Sequence, residues 1–107
     1  MIEPGSRGKL VRDRIPDIIR AAGGDPRTEL LDDESYARSL DEKLKEEVQE
    51  LLDADTGHLL EEMGDVLEVL HAMASINGLS WEAVEAARHK KAEDRGGFQG
   101  RVFLLQP

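Results

Sequence analysis

Residues 34–76 read ESYARSLDEKLKEEVQELLDADTGHLLEEMGDVLEVLHAMASI. From Glu34 to about Ala54 there is neither Gly nor Pro, and Leu40, Leu44, Val48, Leu51 and Leu52 recur at helical spacing. Asp32 or Asp33 is placed to cap this helix. Asp55-Thr56-Gly57 breaks the run, with Asp55 or Thr56 as the next cap. A third helix is predicted from about His58 to Ile76, stopped by Asn77-Gly78. Its broad apolar face carries Leu59, Leu60, Met63, Val66, Leu67, Leu70 and Met73. Val69 and Ile76 fall to one side, where Glu62 and Asp65 also lie. Apolar positions on two sides predict a helix covered by more than one neighbour. Gly64, inside the helix, costs about 1 kcal/mol relative to Ala and signals a close approach by another segment.

The flanks complete a mainly α helical bundle. Residues 1–8 read as a loose terminus. Pro16 suits the first turn of a short helix over about 15–22, ended by Gly23-Gly24. Ser80 caps a fourth helix from Trp81 to about Arg95, with acids early and bases late. Trp81 reads as a packing residue at that helix start, and His71 and His89 as structural or solvent-facing. Residues 28–31 and the tail Arg101-Val-Phe-Leu-Leu105 are predicted to pair as a short two-stranded β ribbon, because an isolated strand leaves its backbone groups unpaired. At 107 residues the chain fits one domain, 1–107.

Charge excludes several classes. There are 23 acidic and 14 basic residues, a formal net charge of −9. Residues 32–68 hold 14 acids and 3 bases, a balance of −11, which leaves +2 for the rest. A protein that tracks nucleic-acid backbones should be basic, so polymeric DNA or RNA is not its partner. With no cysteine, disulfides, thiolate zinc sites and cysteine nucleophiles are excluded. No apolar run approaches a membrane span, and the first residues lack a signal core, so a cytoplasmic location is expected.

The acids are patterned. Glu47 falls at the edge of the apolar stripe of its helix, with Glu50 and then Glu46 further round. A buried carboxylate is costly unless it is paired, protonated or bound to a cation. Glu47 and Glu50 are three apart, as are Glu62 and Asp65, and residues three apart share a helix face. Two facing helices can therefore bring four carboxylates to one point. Hard oxygen ligands suit Mg²⁺ or Mn²⁺. Di-iron bundles want a Glu-x-x-His pair on each of two helices; neither acidic pair here has His in that position, and His58 and His71 lie elsewhere on the third helix, which favours an all-oxygen site over redox iron. The alternative for such spacings is ordinary surface ion pairing.

Glu46-Glu47-Val48-Gln49-Glu50 followed by Glu62-Met63-Gly64-Asp65 resembles the EExxE…ExxD signature of the MazG-like, all-α nucleoside triphosphate pyrophosphohydrolases. Lys9-Leu-Val-Arg-Asp-Arg-Ile-Pro16 and Lys91-Ala-Glu-Asp-Arg-Gly-Gly-Phe98 resemble its phosphoribosyl-ATP pyrophosphohydrolase-like, house-cleaning subgroup. The resemblance runs from Lys9 to Leu105. It implies Mg²⁺-dependent cleavage of a nucleotide between the α and β phosphates, giving a monophosphate and pyrophosphate. It implies Glu47, Glu50, Glu62 and Asp65 as metal ligands, with Glu46 accepting the proton of the attacking water. Glu46 also reads as a partner of Lys43 or Lys45. Lys9, Arg12, Arg14, Lys91 and Arg95 are candidates for the substrate phosphates; for Lys91 and Arg95 the alternative is to serve the end of their helix. The family implies a homodimer or higher homo-oligomer. Two departures stand out: only eleven residues separate Glu50 from Glu62, and Arg88 occupies the region where many relatives carry a further Asp or Asn ligand. Two other readings remain, a non-enzymatic helical module that dimerises or binds a partner, and a phosphoribosyl-ATP pyrophosphohydrolase of histidine synthesis.

Overall fold

The computed structural model describes residues 8–107. The loose terminus expected over residues 1–8 lies, apart from Gly8, outside the described residues. Four α-helices follow: α1 Ile15–Ala21, α2 Asp33–Asp53, α3 Leu59–Ile76 and α4 Trp81–Arg95. No helix among the described residues is long and apolar enough to cross a membrane.

Each boundary has a local cause. Pro16 stands in the first turn of α1, where a missing N–H costs nothing. Gly23, at φ +94°, turns the chain out of that helix. The Asp32 carboxylate caps α2 by accepting from the Ser35 N–H at 2.8 Å. That hydrogen bond holds the Asp32 carboxyl below the usual carboxylate range. Asp55 caps a single 3₁₀ turn, Thr56–His58, which leads directly into α3. Asn77 donates from its side chain to the Met73 carbonyl, and Gly78 at φ +71° ends α3. Ser80 Oγ caps α4 by accepting from the Ala83 N–H.

The short connection makes α2 and α3 an antiparallel hairpin, and this is the one extensive helix pairing among the described residues. α4 meets α3 more briefly, with Trp81 stacked on His71 at 3.6 Å. Trp81 is therefore the packing residue expected, and His71 is its structural partner. α1 makes no close backbone approach to the other helices. The radius of gyration is 17.8 Å, against about 13 Å for a compact chain of this length. The buried apolar core is correspondingly thin: Leu40, Val69 and Ala74.

Two expectations need correction. The two-stranded β ribbon is absent: neither residues 28–31 nor the tail forms a strand, and no strand occurs among the described residues. The first segment feeds α2 and the second leaves the far end of α4, and α4 only briefly accompanies α3, so the two segments are not brought together. The side of α3 turned toward α2 is its acid-bearing one, as two facing acidic pairs require. It carries Glu62, Asp65, Val66 and Val69, while Leu60 and Met63 are 85% and 58% exposed. Finally, a Cβ added at Gly64 would meet nothing within 4 Å, so no segment among the described residues approaches it.

Candidate metal centre

The hairpin seam positions the acids. Glu47 sits about two turns beyond Leu40 on the buried side of α2, and it is only 7% exposed. Glu62 and Asp65 are half-buried on the facing side of α3. One carboxylate oxygen from each of Glu47, Glu62 and Asp65 lies within 4.8 Å of the others. Glu50 is exposed and outside this trio, although it remains close enough to interact with it.

The electrostatics are those of a site short of positive charge. The Glu50 carboxyl is pushed above the ordinary glutamate value of 4.5, first by its hydrogen bond to Glu47 and then by the charge of Glu47. Glu62 is raised first by desolvation, then by the charges of Asp65 and Glu47. Glu47 Oε2 and Glu62 Oε2 are both buried with no hydrogen-bond partner. Unpartnered buried carboxylate oxygens are costly, and a cation would satisfy both. An all-oxygen trio with two free buried oxygens fits a hard divalent ion.

Side-chain cations rim the cluster. Lys43 Nζ lies 3.2 Å from Glu47 Oε1 and 3.6 Å from Glu46 Oε2. Lys9 reaches Glu46 at 3.9 Å, and Arg12 donates to Asp65 Oδ1 at 2.8 Å across 53 residues of sequence. Lys9 and Arg12 are therefore brought to the acids. Arg14 is not: it forms the exposed N-terminal cap position of α1. Lys91 and Arg95 lie exposed on α4, with no ion-pair partner among the described residues. Arg88 pairs with Glu85 on its own helix, so it adds nothing to the cluster. Glu46 is the partner of Lys43 rather than of Lys45. Lys43 is the residue that sequence reasoning undervalued. Its signal was present as Lys43 and Glu47 four apart, with Glu47 on the buried edge of the helix.

The model of the MazG nucleotide pyrophosphohydrolase domain matches residues 35–97, more than half of the chain. The chain belongs to the MazG nucleotide pyrophosphohydrolase family. Within the MazG match lie all five acids Glu46, Glu47, Glu50, Glu62 and Asp65, while Lys9, Arg12 and Arg14 precede it. A 48-residue stretch is 56% identical to an uncharacterized protein of Mycolicibacterium smegmatis (strain ATCC 700084 / mc(2)155), covering 45% of this chain and 49% of that protein. The match thus spans about half the length of the relative. No solved structure matches. MazG domains are hydrolases that typically use a divalent metal, and the carboxylate trio is where this MazG chain would hold one.

Proposed function

We propose that this chain is a single MazG domain, residues 1–107, that hydrolyses a nucleoside triphosphate or related nucleotide between the α and β phosphates. The carrying observation is the convergence of Glu47, Glu62 and Asp65 within 4.8 Å with two buried oxygens unpartnered. Those three residues would hold Mg²⁺, or Mn²⁺, with Glu50 beside Glu47 as the fourth carboxylate. When bound there, such an ion would neutralise phosphate charge and lower the pKa of a water.

The chain's own residues supply the rest. Glu46 takes the proton of the attacking water, its two oxygens steered by Lys43 and Lys9. Arg12, now on Asp65, is long enough to turn from that carboxylate to a substrate phosphate, where its fork binds bidentately. Lys9 is released toward phosphate in the same way. Arg14, Lys91 and Arg95 bind phosphate only if α1 and α4 close toward the seam, or if they serve a second copy's site. The second copy is supported by the exposed stripe Leu60, Met63, Leu67 and Leu70 on α3. That stripe also favours the reading of a helical dimerisation module, and the two readings are compatible. The cytoplasm, where MazG proteins generally act, is the proposed place of action.

The test is pyrophosphate release from a panel of ribo-, deoxy- and oxidised nucleoside triphosphates and phosphoribosyl-ATP, with Mg²⁺ and with chelator. Release from at least one, lost with chelator, is expected. A preference for phosphoribosyl-ATP would assign the histidine-synthesis reading. No release from any substrate, with no stoichiometric Mn²⁺ binding by calorimetry, would leave only the interaction module.

A further inference from the structure

The C-terminal tail leaves α4 through Gly96 at φ +86° and makes one tight turn, with the Arg101 N–H donating to the Phe98 carbonyl. Arg101 itself sits at φ +58°, an uncommon conformation for a side chain of that size. Beyond it come Val102, Phe103, Leu104 and Leu105, between 70% and 91% exposed. Four consecutive large apolar residues in water are not a solubility device.

A cleft of about 660 Å³ lies elsewhere on the chain, between residues 8–16, the extended stretch 26–31 and the first half of α2. Leu10, Ile15, Ile19, Leu31 and Tyr36 give it apolar walls, and Leu30 stands fully exposed at its rim. No tail residue of the same chain lines it. The charges around the two features are complementary. Lys9, Arg12 and Lys43 at the cleft are already paired with acids. Asp13, Glu29 and Glu42 have no ion-pair partner among the described residues, against the single cation Arg27. Residues 95–107 carry Arg95 and Arg101 and no acid.

Surface area points the same way. The chain exposes 9610 Å². A compact monomer of its mass exposes about 5,900 Å². A stable interface takes about 800 Å² from each partner, so the excess is ample for one. Two reciprocal arms, counted on both sides, would bury on the order of 2,000 Å².

We propose that residues 98–105 form an exchange arm whose apolar side chains fill the residue 8–31 cleft of a second copy of this chain, with Arg95 and Arg101 facing Glu29 and Glu42. The arm closes the apolar end of a cleft whose polar end is Glu46 and Lys43, so each copy supplies a wall beside the other's acid cluster.

The chain has no cysteine, which makes a crosslinking test clean. Purified Leu30→Cys and Leu104→Cys full-length chains are mixed and mildly oxidised. A covalent dimer of twice 11.9 kDa is expected, at least tenfold faster than from Leu104→Cys mixed with Glu61→Cys, an exposed position outside the cleft. Both sites are exposed, so the helical circular dichroism should not change. Full-length Leu104→Asp, measured by light scattering, should dissociate at a concentration at least tenfold higher than the wild type does. Equal rates with the control pair overturn the proposal. So does a Leu30→Cys/Leu104→Cys double variant that closes on itself as a monomer, or a Leu104→Asp chain that associates like wild type; the cleft would then belong to the chain's own tail or to the nucleoside.

Discussion

Glu47→Gln separates a metal-binding carboxylate from a merely structural one. The substitution keeps the shape of the side chain and an oxygen that can accept from Lys43 at 3.2 Å. It removes one negative charge that faces both Glu62 and Asp65. In chelator, one attraction is weakened while two repulsions vanish. The variant should therefore be at least as stable as wild type. If Glu47 were half of a structural ion pair, breaking it would lower stability, by less than the roughly 3–5 kcal/mol of an isolated buried pair because Lys43 keeps Glu46.

With metal the order reverses. At an ion concentration 100 times Kd, wild type gains about 2.7 kcal/mol from binding. For a domain of this size that is a Tm rise on the order of 10 °C. Loss of one of three converging ligands should weaken affinity about 100-fold, since even outer-shell partners are worth 10- to 100-fold. At the same concentration the gain then falls to about 0.4 kcal/mol, a rise of about 2 °C. The assay is thermal unfolding followed by circular dichroism, at one protein concentration, in chelator and in Mn²⁺ or Mg²⁺. A wild-type Tm indifferent to both ions would refute the reasoning, as would a Glu47→Gln variant that matches wild type in metal.

The pH dependence follows from Glu50 and Glu62. Both have folded pKa values raised above the unfolded value near 4.5, so their contribution is present below that value and is lost as pH rises through the raised folded values. Metal-free protein should thus become more stable as pH falls through the raised folded values toward 4.5, while in saturating Mn²⁺ it should become less so, because protons then compete with the ion; denaturant melts at each pH check this. Ser80→Ala removes the cap of α4 and should cost about 1 kcal/mol, with Ser80→Gly costing only a few tenths, by urea titration. Gly64→Ala meets open space within its own chain and should stabilise the dilute protein by up to about 1 kcal/mol. The same change should weaken self-association by light scattering if a second copy approaches α3 there.

The helices were legible because their signals are local. Asp32, Asp55, Ser80, Gly23 and Gly96 end or begin elements through their own backbone and side-chain chemistry, and the structure uses each one there. The burial of Glu47 was legible too, since its angle from Leu40 fixes its side of α2. What periodicity does not carry is the identity of the neighbour. It marks Leu60, Met63, Leu67 and Leu70 as a face to be covered without saying whether by this chain or another. The ribbon failed for a related reason: two segments with strand-like composition need a fold that brings them together, and a briefly docked α4 does not. The contact between Arg12 and Asp65 spans 53 residues, beyond the reach of any spacing rule. Only the resemblance of Lys9–Pro16 to a family motif pointed there.

The two incomplete features of this molecule share one cause. The α2–α3 seam holds acids where a self-sufficient bundle would hold leucines, and the leucines of α3 face outward instead. Like charges in the seam weaken the one extensive helix pairing the chain has, and a core of Leu40, Val69 and Ala74 offsets little of that. A divalent ion would draw α2 and α3 together at Glu47, Glu62 and Asp65. Tightening the hairpin fixes the relative position of Leu60, Met63 and Leu67, which lie on the same helix as two of the ligands. Ion binding and self-association should then be coupled through α3, each strengthening the other by the same factor. Light scattering across a Mn²⁺ titration reads that coupling directly. Association that is indifferent to the ion would mean that the outward face of α3 is already set without it.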